Sequence, residues 1–132
     1  MALIRLLLDT NRITDAFRGE TRTIEQLEAA QEIWLPFVAV AEVRAGFLGG
    51  SRTAANEALL DTFLGMKRVA TLYADRETLG VYARLFVQLR RAGTPIPTND
   101  LWIASLAVQH DLTLVSRDGH FDKLPQIQRD RG

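Results

Sequence analysis

The chain has 132 residues, no cysteine, 16 basic against 16 acidic side chains, and 47% apolar residues. That length suits one domain, expected over residues 1–132, which buries roughly 65–70% of the surface its unfolded chain would expose. The lack of cysteine excludes a disulfide framework and thiolate metal sites and fits a reducing, cytoplasmic setting, while zero net charge argues against a broadly basic nucleic-acid-binding surface.

Leu3–Leu8 is a short apolar run that reads as a buried strand. Interrupted by Arg5 and ended by Asp9, it falls far short of the roughly 20 residues of a membrane span, and no signal peptide is expected. Thr23-Ile24-Glu25-Gln26 matches a capping box and predicts a helix to about Gln31. Ile33–Val38 reads as a second strand, with Pro36 marking an edge or a strand end. Ala39–Leu48 reads as a helix closed by Gly49 and Gly50, and Ala54–Leu64 as another. Val69–Leu72 is a brief strand. Asp75 is placed to cap a long helix to Ala92, with Leu79, Tyr82, Phe86 and Leu89 on one face and Gly93 ending it. Pro95 and Pro97 punctuate a loop. Asn99–His110 is a helix with apolar residues nearly all round, so it should be buried. Leu112–Val115 is a strand, and Phe121–Ile127 a short closing segment. Strands alternating with helices predict an α/β fold with a central parallel sheet flanked by helices.

In such a sheet the carboxyl ends of all strands share one edge, where ligands bind. Asp9 directly follows the first strand, Glu42 lies a few residues after the second, and Asp118 comes just after the strand ending at Val115. The helix carrying Asp100 leads into that last strand from the opposite edge, so its first turn, with Asp100, starts at the carboxyl edge. Each acid alone has an ordinary reading: Asp9 as a helix cap, Asp100 as a helix-dipole acid, Glu42 as a solvated helix residue, Asp118 as a turn residue. Their convergence is the signal. Two unit charges 4 Å apart repel by about 4 kcal/mol at an effective dielectric of 20, so such a cluster calls for a cation. All-oxygen ligation points to magnesium or manganese rather than zinc. An ion of that kind suits hydrolysis of a phosphodiester by activated water.

LLLDTN, VAVAEVRAG, PTNDLWIASLAVQHDL and LVSRDGHF, in that order and spacing, resemble the PIN-domain ribonucleases, above all the VapC-type toxins of toxin–antitoxin pairs. The resemblance covers nearly the whole chain and implies the PIN-like three-layer fold. It implies that Asp9, Glu42, Asp100 and Asp118 form the acidic site. Asp9, Asp100 and Asp118 would hold Mg2+ or Mn2+, and Glu42 would complete the site or orient the attacking water. Thr10, Asn11 and Ser116 would be polar helpers, Ser116 standing where the family more often has Thr. It further implies a homodimer, a VapB-like antitoxin partner that blocks the site, and structured RNA, often transfer RNA, as substrate.

His120 could be a general base, but the family does not use one there and it reads as an exposed loop histidine; Trp34 and Trp102 read as core or dimer-contact residues. Arg12, Arg18 and Arg44 lie near motif acids, where phosphate contact and plain solvation are both open. Two other readings stand beside the nuclease. In an aspartyl-phosphate enzyme Asp9 would be the nucleophile, but Asn11 occupies the position where a second Asp is needed. In a non-catalytic PIN-fold interaction module the acids would no longer bind metal; the intact quartet argues against it.

Overall fold

A computed structural model describes residues 3–132. Its elements are β1 (Arg5–Leu8), α1 (Thr10–Phe17), α2 (Thr21–Ala29), β2 (Glu32–Pro36), α3 (Phe37–Leu48), α4 (Thr53–Leu64), β3 (Val69–Leu72), α5 (Arg76–Ala92), α6 (Thr98–His110), β4 (Thr113–Val115), a 3-10 turn (Gly119–Lys123) and β5 (Arg129–Asp130). The strands pair in the order β3-β2-β1-β4-β5, all parallel. β1 is central, with Leu6 opposite both Ile33 and Thr113 and Leu8 opposite Val115. A strand buried on both faces needs apolar residues at every position, and the run Leu6-Leu7-Leu8 supplies them.

From β1 the chain moves outward to β2 and β3, then crosses back to β4 on the other side of β1. Right-handed crossovers in opposite directions put the connecting helices on opposite faces, giving the three-layer α/β architecture. The reversal makes the carboxyl ends of β1 and β4 the switch point of the sheet, where the chain segments after the two strands diverge and leave a crevice. α6 is buried over Ile103–Ala107 because it is covered both by the sheet and by α5, with which it forms an antiparallel hairpin. That hairpin is pinned at one end by Asp75. Its carboxylate accepts from the Thr78 backbone N–H at 3.1 Å and from Gln109 Nε2 at 2.8 Å. At the other end Gly93 takes a left-handed conformation, φ 72°, that stops α5 and turns the chain into α6.

Several expectations need correction. α1 was not anticipated as an element, and β5 adds a strand beyond the expected closing segment. α2 starts at Thr21 rather than at a capping box on Thr23; the Thr23 hydroxyl instead donates to the Glu20 carboxylate at 3.0 Å, so the bonded pair is displaced toward the amino end. Pro36 marks the end of an interior strand, not a sheet edge. The face assigned to α5 is rotated: Thr78, Val81, Leu85 and Leu89 point to the core, whereas Leu79 is 58% and Phe86 47% exposed. The helix carries two apolar stripes, and the one that packs includes the polar Thr78, whose burial is made tolerable by its bonds to the Asp75 backbone and to Gln109.

Thr78→Val keeps the shape but leaves the Asp75 backbone N–H, which donates to the Thr78 hydroxyl at 2.9 Å, without that partner. The expected result is a loss of about 1–3 kcal/mol in denaturant unfolding at an unchanged m-value.

Candidate metal centre

The site is built on the two strand ends at the switch point. Asp9 leaves β1 in an extended conformation and caps α1, its Oδ1 accepting from the Arg12 backbone N–H at 3.0 Å. Its Oδ2 accepts from the Ser116 hydroxyl, just past β4. The Ser116 oxygen in turn accepts from the Asp118 backbone N–H at 3.0 Å. Both Asp9 and Ser116 are buried. One serine hydroxyl therefore ties the acid of β1 to the backbone that presents the acid of β4.

Asp118 caps the 3-10 turn, its Oδ1 accepting from the His120 backbone N–H at 2.9 Å. That tight turn swings the His120 ring back over the acids. His120 Nδ1 lies 2.7 Å from Asp100 Oδ2 and 3.2 Å from Asp118 Oδ1. Asp100 arrives in the first turn of α6, as the direction of that helix requires. Among the described residues, Asp100, Asp118 and His120 offer ligand atoms that all lie within 4.8 Å of one another. His120 is thus not a bystander in a loop. The signal was its place two residues after a turn acid, at the spacing where a capped 3-10 turn folds a side chain back beside its cap.

Glu42 stands apart at the rim. It is exposed on α3, and its Oε1 accepts from the Thr10 hydroxyl at 3.1 Å. Asn11 is exposed on α1, and no side-chain hydrogen bond of it is seen among the described residues. Arg12 fits neither of its two readings, phosphate contact or solvation. It is buried, with its guanidinium 2.6 Å from Asp15, so it supports α1 from inside. Arg44 is exposed and pairs with Glu57 at 3.3 Å. Arg18 is exposed and lines the groove that Glu42 and Thr10 open onto. Trp102 packs in the interior between Phe37 and Tyr82, and Trp34 donates to Glu32 at 2.9 Å.

Electrostatics carry the mark of a site built for a cation. Burial pushes the Asp9 carboxyl above its ordinary value; bonds from Ser116 and the Arg12 backbone, and the Arg12 charge, oppose this, while Asp118 adds to it. Asp100 is likewise pushed up by burial and by Asp118, against the pull of His120. Asp100, Asp118 and His120 form a donor set that fits one small divalent ion, while both oxygens of Asp9, next to them, are taken up by the Arg12 backbone N–H and the Ser116 hydroxyl.

The PIN domain family matches residues 6–127. The chain is a PIN-domain protein. It is 30% identical over 100 residues to Ribonuclease VapC4 of Mycobacterium tuberculosis, covering 76% of this chain and 77% of that protein. It is 29% identical over 121 residues to Toxin FitB of Neisseria gonorrhoeae, covering 86% and 87%. The toxin–antitoxin assembly VapBC2 of Rickettsia felis, solved bound to a DNA fragment from its promoter, contains a chain that superposes with a TM-score of 0.86 at 25% identity, over 96% of this chain and 98% of that one. The fold and these relatives make it a close relation of the VapC ribonuclease toxins.

An acid whose folded pKa is raised contributes stability that is present below its unfolded value and is lost as pH rises through the folded one. Asp9 and Asp100, both raised from 3.8, should therefore destabilise the metal-free PIN domain at neutral pH. In EDTA the melting temperature should rise as pH falls from neutrality through the raised folded-state range of these two acids, and the rise should shrink in Asp9→Asn and Asp100→Asn. Below that range the lowered carboxylates of Glu20, Glu32, Asp75 and Asp122 act with the opposite sign.

Proposed function

We propose that the protein is a metal-dependent endoribonuclease acting in the cytoplasm as the toxin of a VapBC-like pair. The observation that carries this reading is the meeting of Asp100, Asp118 and His120 beside buried Asp9 in a PIN domain. Asp9, Asp100 and Asp118 would hold Mg2+ or Mn2+. The ion would lower the pKa of a bound water and offset the charge of a scissile phosphodiester. Ser116 keeps the Asp9 carboxylate oriented, and its hydroxyl would serve as Thr does elsewhere in the family. Glu42, with Thr10 beside it, would orient the attacking water from the rim, and Asn11 would meet the RNA backbone from the solvent side. Structured RNA, including transfer RNA, is the substrate class this reading takes.

The groove beside the site supports an antitoxin partner. It runs from Thr10 and Glu42 past Phe17 and Leu59 toward an apolar recess at Leu27 and Met66. Leu59 and Met66 are exposed there, and an apolar segment of a VapB-like antitoxin would cover them while closing the site. Among the described residues no helix is long and apolar enough to cross a membrane.

Asp100→Asn tests the metal assignment. It keeps the size and the acceptor that faces His120 and removes one charge from a crowded site. The expected pattern is an unchanged or raised melting temperature in EDTA, a smaller shift on adding Mg2+ or Mn2+, and loss of RNA cleavage by orders of magnitude. A destabilised but fully active variant, or wild-type cleavage undiminished by excess EDTA, would refute the assignment.

Homodimerisation is the second expectation. Leu79, Phe86 and Val87 form an exposed apolar stripe on α5, with Tyr73 exposed before the helix. Light scattering of antitoxin-free protein at micromolar concentration should give a dimer mass, and Phe86→Glu should shift it to the monomer. A wild-type monomer overturns the expectation.

A further inference from the structure

His120 changes the chemistry of the centre, because it brings nitrogen into a set otherwise made of oxygen. We infer that His120 Nδ1 is a direct ligand of the ion held by Asp100 and Asp118, and that the mixed nitrogen and oxygen set makes this site favour Mn2+ over Mg2+. The inference rests on the metal-dependent reading above.

Donor spacing supports it. Neighbouring donors on an octahedral ion with bonds of about 2.1 Å stand roughly 3 Å apart. Nδ1 is 2.7 Å from Asp100 Oδ2 and 3.2 Å from Asp118 Oδ1. This histidine faces two carboxylates at once, at separations that neighbouring donors to one ion can also take.

The turn that presents the ring is also held. On one side its backbone N–H donates to Asp118, whose own N–H donates to buried Ser116. On the other side Phe121 is 1% exposed and anchors the turn in the core. The Arg129 guanidinium stacks 5.6 Å over the Phe121 ring and donates to the carbonyls of Ser116 at 2.7 Å and Asp118 at 3.2 Å. These bonds fix the backbone of the turn from three directions and so set the position from which the His120 side chain reaches the acids.

Ion preference follows from the donors. Mg2+ is a hard cation that takes oxygen and sheds water reluctantly, whereas imidazole suits the later divalent metals and Mn2+ accepts it alongside carboxylate. A nitrogen ligand therefore adds affinity for Mn2+ that Mg2+ does not match.

The test uses untagged, antitoxin-free protein with Mn2+ as the spectroscopic probe. Pulsed electron spin echo spectra of the Mn2+ complex should show coupling to a directly bound 14N, and His120→Ala should remove it. The same variant should weaken Mn2+ binding by at least about 10-fold, as loss of a metal-site partner typically does, while Mg2+ affinity, read by competition, changes far less. Bound Mn2+ without nitrogen coupling in the wild type overturns the inference, as does equal weakening of both ions in His120→Ala. Either result leaves the nuclease reading standing. If the wild type binds neither ion at millimolar concentration, both fall.

Discussion

The buried hydroxyl of Ser116 sits where the two halves of the site meet. It donates to Asp9, which ends β1, and accepts from the backbone of Asp118, which follows β4. Asp9 in turn spends its other oxygen on the first turn of α1. Without that chain of bonds Asp9 would be a buried carboxylate with half its acceptors empty, a costly arrangement. The sheet reinforces the link, since the Asp9 N–H donates to the Val115 carbonyl at 3.3 Å, extending the pairing of β1 and β4 by one residue.

Around this link the protein tolerates acids in close proximity. Two guanidiniums lie close by: Arg12, engaged by Asp15, and Arg129, whose bonds go to the Ser116 and Asp118 carbonyls and to Asp122. The remaining relief comes from the Ser116 hydroxyl, from backbone N–H donors at the Asp9 and Asp118 caps, and from His120. Such relief is partial, which is why burial still raises the Asp9 and Asp100 carboxyls. An imidazole facing two carboxylates offsets part of their repulsion in the metal-free state and presents a nitrogen to an incoming ion. The same side chain thus bears on stability without metal and on which metal is taken up.

Much of this was legible from residue order. Alternating apolar strands and capped helices imply a parallel sheet, and a parallel sheet places Asp9, Asp100 and Asp118 on one edge whatever the details of packing. Asp75 and Gly93 bound α5 as their local chemistry dictates. The rest was not local. α1 is short, and only the cap on Asp9 hinted at it. β5 spans Arg129–Asp130, too few residues to carry a pattern. The apolar stripe of α5 was misplaced because Leu79 and Phe86 match the helical period as well as Val81 and Leu85 do.

By itself, then, the sequence determined the α/β class, the edge of the sheet where the acids gather and the family to which the chain belongs, since periodicity, caps and spaced motifs are properties of order along the chain. Only the tertiary structure decided that Glu42 stands at the rim, that Arg12 is interior, and that His120 closes over Asp100. Those outcomes depend on how a side chain turns in a 3-10 turn or on which helix face packs. They are set by contacts between residues as much as 107 positions apart, as with Ser116 and Asp9, which no local pattern encodes.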